Sequence, residues 1–217
     1  MTELPSQYHR NLPYGERMSA DEFIGHPFFP FEGDVRVVPL DEPVIPEPPR
    51  AGEPGGKPCI SCEKPDWSVI WRDEQWKLKT GFGPDGLPFV AILEPREHYR
   101  LDNLPPELTA TLGVMIQRVT GAIGRIDAVG RTHFNRWGDG SEHFHLWFLA
   151  RPLGMMQLRG ANIASWNDML PKVPADVHAG YARLVAAALA GGGGEEGGVW
   201  LGAGGGFLGS RRKKTHH

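Results

Sequence analysis

Basic charge is the first thing this chain is short of: 23 Lys and Arg stand against 26 Asp and Glu, for a net charge of -3 and a pI near 6.3. Binding to a phosphate backbone usually shows as a basic face or an elevated pI, so nothing in the charge calls for a nucleic-acid polymer, and a mononucleotide remains allowed. No run of about 18 apolar residues occurs, which leaves no segment to form a membrane helix. Met1-Thr2-Glu3-Leu4-Pro5 lacks the basic-then-apolar order of a secretory signal, and we expect a cytoplasmic protein. Cysteine is also scarce. The only two are Cys59 and Cys62, and a close pair in a reducing compartment signals metal or redox chemistry more often than a structural disulfide.

What is present divides the 217 residues into three parts. Residues 1 to 58 hold 11 of the 20 prolines, which favours extended or coil backbone. This arm also carries Phe23, Phe28, Phe29 and Phe31, and Val35-Arg36-Val37-Val38 reads as a short strand, so we expect it to pack onto the domain. From Gly191 onward lie 11 of the 29 glycines and a basic end, Arg211 to Lys214, and we expect a disordered tail over 189–217 with a solvated charge run.

The ordered domain is expected over 59–188. Ser68 to Trp71 and Trp76 to Thr80 read as a hairpin, and Phe89 to Leu93 as a buried strand. Asn103 is placed to cap a helix whose apolar face is Leu108, Leu112, Met115, Ile116, Val119 and Ile123. Thr132 to Arg136 and Ser141 to Leu149 follow as strands around the turn Trp137-Gly138-Asp139-Gly140, with a last helix over about Ala175 to Ala188. The order gives an α+β fold: an antiparallel sheet of about five strands with a main helix packed on it and helices to one side.

Alternation along a strand puts His143, His145 and Trp147 on one face and Phe144, Leu146 and Phe148 on the core face. The two histidines end a glycine turn whose backbone amides suit an oxyanion. Cys59, Cys62, His98 and His143 form a Cys2His2 set of the types that close a tetrahedral zinc shell. A redox role for the pair is disfavoured because Glu63-Lys64-Pro65 does not continue as a helix able to lower a thiol pKa. His9, His26, His133 and His178 read as satisfied core or surface residues.

Residues 59 to 152 resemble the HIT-like (histidine triad) superfamily, in its zinc-bearing branch related to HIT hydrolases and galactose-phosphate uridylyltransferases. The resemblance runs through Cys59-Ile60-Ser61-Cys62, Val90 to His98, the helix after Leu104-Pro105, Asn135 with Gly138 and Gly140, and Ser141 to Pro152. It implies a structural Zn2+ on Cys59, Cys62, His98 and His143, and His145 as nucleophile on an α-phosphate, forming a nucleotidyl-histidine intermediate. It implies that Asn135 orients the site, that Ser141 lies near the phosphate, and that Gly138, Gly140 and Ser141 hold the phosphoryl oxygens. The implied partner is a nucleotide or nucleotide conjugate. A homodimer is also implied, with the arm at 1–58 competing for the surface such dimers use. The pattern departs at Trp147, where hydrolases of the family carry a third histidine and uridylyltransferases a glutamine. A tryptophan there opens the alternative of a catalytically impaired nucleotide-binding or structural zinc module. Asp85 is the acidic residue that the loop 80–87 offers to a ribose.

Overall fold

The computed structural model describes residues 29–31, 33–35, 39, 41–81 and 83–196. The rest of the arm, including 36–38 of the expected first strand, and the tail from 197 lie outside the described residues.

A short helix α1 (Ile60–Glu63) opens the domain, followed by β1 (Val69–Arg72), β2 (Trp76–Lys79) and β3 (Val90–Pro95). Then come α2 (Pro106–Ile123), β4 (Val129–Asn135), β5 (Leu146–Pro152), α3 (Ile163–Met169), α4 (Ala175–Ala190) and β6 (Glu195–Glu196). All neighbouring strands pair antiparallel, in the order β4-β5-β3-β2-β1-β6. The fold is α+β, an open antiparallel sheet of five full strands with helices, as the sequence suggests.

The main core fills one face of the sheet. Ile70, Trp76, Leu78, Phe89, Leu93, Phe144, Leu146 and Phe148 pack there against Leu108, Met115, Val119 and Ile123 of α2 and Ala182, Val185 and Leu189 of α4. The α2 residues named follow one another at steps of seven, four and four, so one helical stripe meets the sheet.

Four differences from the sequence-based expectation have physical causes. Asn103 does not cap α2: it closes a 3-10 turn at Leu101–Asn103, where its side chain accepts the Arg100 amide at 2.7 Å. Pro105 and Pro106 start the helix instead, because the first helical N–H has no intrahelical partner and proline loses nothing there. Strand β5 begins at Leu146, so His143 and His145 lie before the ladder, where Phe144 N–H donates to Tyr99 O at 2.7 Å. Coil does not begin at residue 189: α4 runs to Ala190, and after Gly191–Gly194 the chain pairs Glu195 with Arg72 and Glu196 with Trp71. Gly193 and Gly194 have φ of +108° and +97°, which lets the chain turn back onto the edge of β1.

The fourth difference bears most on the site. Helices do not lie on one side only: Leu158 and Ile163, from a loop and α3, bury with Leu87, Val90 and Leu149 on the second face, with Trp147, Trp166 and Leu170 packed against them. Asn167 holds this patch, accepting the Leu87 amide at 3.0 Å and donating to Asp85 at 3.2 Å. No helix among the described residues is long and apolar enough to cross a membrane.

Candidate functional site

On the second face a row runs across the sheet through paired positions: Asn135 on β4, Trp147 on β5, Ile92 on β3 and Lys79 on β2. The α3 patch closes one end of this face. The Cys59–Cys62 knuckle closes the other, over a buried ionic cluster. Lys77 and Lys79 flank Glu94 at 3.1 and 2.7 Å, all three side chains at most 5% exposed. Ser61 Oγ donates to Glu94 at 3.0 Å and accepts from Lys79 at 2.9 Å, while Lys77 donates to the carbonyls of Ser61 and Pro65. Because Lys77 aims its protons at those carbonyls, Glu94 Oε1 faces its charge without accepting a hydrogen bond. Burial by itself pushes the Glu94 carboxyl up, but Lys79 and Lys77 together override it and hold the group below the usual carboxylate range.

Above this cluster Cys59, Cys62, His98 and His143 bring one ligand atom each to within 4.8 Å of one another. Cys59 Sγ is 3.5 Å from His143 Nδ1, and Cys62 Sγ is 3.3 Å from His98 Nδ1 and 3.7 Å from His143 Nδ1. A tetrahedral zinc with bonds of about 2.3 Å to sulfur and 2.0 Å to nitrogen sets sulfur–nitrogen edges of roughly 3.5 Å, so the donor set fits the ion. The outer ring atoms fix the tautomers. His143 Nε2 lies 3.0 Å from the Pro95 carbonyl, which only accepts, so Nε2 carries the proton and Nδ1 offers its lone pair to the metal position. His98 Nε2 faces Glu142 Oε2 at 3.2 Å and is turned the same way. Burial holds the His143 pKa below its ordinary value, which keeps the ring neutral, and it raises the Cys62 thiol to about 11 with help from Cys59.

His145 is set up in the opposite sense. Its Nδ1 donates to the His143 carbonyl at 2.7 Å, leaving the Nε2 lone pair on the far side of the ring. One residue therefore contributes its ring to the metal cluster and its carbonyl to the orientation of the histidine two positions on.

The turn between β4 and β5 is occupied in a way the sequence does not show. Ala51 of the arm bridges Ser141: Ala51 N–H donates to Gly140 O at 3.2 Å and Glu142 N–H to Ala51 O at 2.9 Å. Arg50 Nη1 donates to Gly138 O at 2.9 Å and Arg50 Nε to Glu53 at 2.7 Å. The three amides expected to hold phosphoryl oxygens, those of Gly138, Gly140 and Ser141, donate to no acceptor among the described residues, while the next amide, that of Glu142, is committed to the arm. Gly52, with φ +96°, passes so close to the cluster that a Cβ there would sit 2.6 Å from His98 Cε1. Asp85 is not presented as a free carboxylate: burial raises its pKa and Asn167 holds it.

Asn135 and Trp147 are direct cross-strand partners, and Trp137, 43% exposed, lies 6.3 Å from Trp147 at 60°. His133 and His178 are less settled than expected, each burying an Nε2 with no partner among the described residues. Lys77, Lys79, Arg50 and Gly52 lie outside the motifs, and Glu94 and Glu142 lie inside them without a role assigned from the sequence. One signal was available: Glu94 is the single acid in an otherwise apolar strand, opposite a Trp-Lys-Leu-Lys segment whose lysines share a face.

No family model and no curated protein matches the chain. Solved structures do. A zinc-bound histidine triad family protein from Mycobacterium smegmatis is 21% identical, covering 61% of this chain and 89% of that one with a TM-score of 0.41. A histidine triad protein from Bradyrhizobium japonicum is 18% identical over 59% of this chain and 95% of that one, with a TM-score of 0.48. A uridylyltransferase, 21% identical with a TM-score of 0.42, is matched over 61% of this chain and 45% of its own length. The solved structures to which this chain is similar thus include histidine triad proteins and a uridylyltransferase.

Proposed function

We propose that the chain is a HIT-like nucleotide-processing enzyme, a phosphohydrolase or nucleotidyltransferase that works at an α-phosphate through a covalent nucleotidyl-His145 intermediate. The observation that carries this reading is the 2.7 Å bond from His145 Nδ1 to the His143 carbonyl, which turns the Nε2 lone pair outward from a residue anchored in a Cys2His2 cluster. Zinc bound by Cys59, Cys62, His98 and His143 supplies rigidity rather than chemistry, because four protein ligands leave no open position. The amides of Gly138, Gly140 and Ser141 hold the phosphoryl oxygens, and Asn135 orients the substrate from the neighbouring strand. Its partner is a nucleotide or nucleotide conjugate.

Trp147 favours a second reading, a nucleotide-binding or structural zinc module without turnover, since indole cannot transfer a proton. Turnover separates the two. Zinc-loaded protein is offered dinucleoside polyphosphates, nucleotide sugars and nucleoside phosphoramidates, and product release is followed beside the same assay on His145→Ala. Release that vanishes in the variant supports the enzyme; nucleotide binding with no release on any of the three supports the module.

A further inference from the structure

We infer that the N-terminal arm is part of the site: Arg50 and the backbone of Ala51 are positioning groups that aim the amides of Asp139 and Ser141 at the phosphate of a bound nucleotide. This rests on the nucleotidyl-His145 reading and adds to it an element outside the residues that carry the family resemblance. Arg50 Nη1 donates to Gly138 O at 2.9 Å, and Ala51 N–H donates to Gly140 O at 3.2 Å. The peptides after Gly138 and Gly140 are trans, so each N–H points opposite to the carbonyl of its own plane. Holding those two carbonyls therefore turns the Asp139 and Ser141 N–H groups away from the arm, and neither donates to an acceptor among the described residues.

Charge favours an anion on the side to which those amides point. The cleft between arm and turn is lined by the carboxylate residues Glu47, Glu53 and Asp139, and Glu53 already occupies Arg50, so the arm side repels a phosphate. A second cation flanks the turn: the Arg136 guanidinium lies so close to Gly138 that a Cβ there would sit 2.5 Å from its Nη1. Two fixed N–H donors aimed the same way hold phosphoryl oxygens without having to reorient as charge develops on them.

The arm is itself held in place. Glu53 accepts the Arg50 amide and Nε, both at 2.7 Å, which leaves Nη1 for the turn. Gly52 N–H donates to Lys57 O at 2.8 Å and Gly56 N–H to Glu53 O at 2.9 Å, closing a loop so tight that a Cβ on Gly56 would lie 2.1 Å from Arg50 O. This loop rests on the metal cluster, where a Cβ on Gly52 would lie 2.6 Å from His98 Cε1 and 3.5 Å from Cys59 Cβ. One segment thus joins the metal position to the glycine turn, and the rigidity that zinc lends His98 reaches the two amides through Arg50 and Ala51.

The test uses full-length, zinc-loaded, isotope-labelled protein, with adenosine 5′-monophosphate as the probe for amide NMR and a dinucleoside polyphosphate for the rate of nucleotidyl transfer to His145. In the wild type the probe should move the Asp139 and Ser141 amide signals more than that of Glu142, whose N–H the arm already holds. Arg50→Met should abolish the Asp139 response, keep that of Ser141, which a backbone bond aims, and slow His145 labelling by about 10- to 100-fold at unchanged zinc content. Arg50→Lys, which still carries a donor for Gly138 O, should recover part of that rate. Arg50→Met that keeps both the Asp139 response and the rate, or that loses zinc together with the rate, overturns the inference. Labelling of His145 with no probe response at either amide also overturns it and leaves nucleotidyl transfer standing. Both amide responses with no labelling of His145 overturn nucleotidyl transfer and leave the arm-aimed phosphate site standing.

Discussion

Replacing Glu94 by glutamine should be among the most damaging isosteric changes in the molecule. Lys77 and Lys79, at most 5% exposed, lie 3.1 and 2.7 Å from its carboxylate, so the amide leaves two buried ammonium groups facing one another with no anion between them. Removing one partner of a buried ion pair costs about 3–5 kcal/mol, and here one carboxylate serves two cations, which places the cost at the upper end. Divided by a urea m-value of about 2–3 kcal/mol/M, this shifts the unfolding midpoint down by roughly 1–2 M with little change in slope. Lys79→Met should cost less, because Lys77 and Glu94 still balance. The pH dependence carries a sign. The folded-state pKa of Glu94 is depressed, so its contribution is present above the unfolded carboxylate value and is lost as pH falls through the lower folded value. Chemical denaturation of wild type, Glu94→Gln and Lys79→Met at neutral pH, repeated in acid, measures all three. A loss below about 1 kcal/mol for Glu94→Gln, or Lys79→Met costing more than it, would refute the picture of a desolvated cluster with one cation in excess.

Gly52→Ala should lower zinc affinity by about 10- to 100-fold in competition with a chromophoric chelator, because the new Cβ would meet His98 Cε1 at 2.6 Å and the backbone there has φ +96°. Unchanged affinity would mean that the arm yields instead. Chelating the metal should lower the unfolding temperature, whereas His145→Ala should leave zinc content near one per chain, since His145 gives the cluster only its contact to the His143 carbonyl. His178, buried against Phe89 with its pKa lowered by burial, binds fewer protons folded than unfolded. Stability should therefore fall as pH drops below about 6.5, and His178→Leu should remove part of that fall in thermal melts between pH 7 and 5.

The residues that the structure gathers around the metal position were legible in the sequence. Two cysteines in 217 residues stand out by scarcity, whereas His98 and His143 were picked from nine histidines by their places at strand ends and turns and by the resemblance to the zinc-bearing HIT-like pattern. The strand alternation separated His143 and His145 from Phe144 even though regular pairing starts only at Leu146. What was not legible depends on contacts distant in sequence. The Trp-Lys-Leu-Lys strand has the period of a half-solvated surface, and only the knuckle folding over it from 61–65 makes Lys77 and Lys79 interior. Arg50 reaches Gly138 across 88 residues, and no local pattern announces that bond. Leu158 and Ile163 lie in an apolar-rich stretch that falls between the elements read from the sequence, and only the fold shows that they bury the second face beside Trp147.

The central claim is that His145 carries a nucleotidyl group during turnover. Its most direct measurement is intact-protein mass spectrometry after rapid quenching of zinc-loaded protein with a dinucleoside polyphosphate or a nucleotide sugar, followed by peptide mapping. The account predicts an acid-labile adduct of one nucleotidyl mass on His145, absent in His145→Ala. An adduct that persists in His145→Ala, or turnover by folded, zinc-loaded protein with no adduct at any quench time, would contradict it.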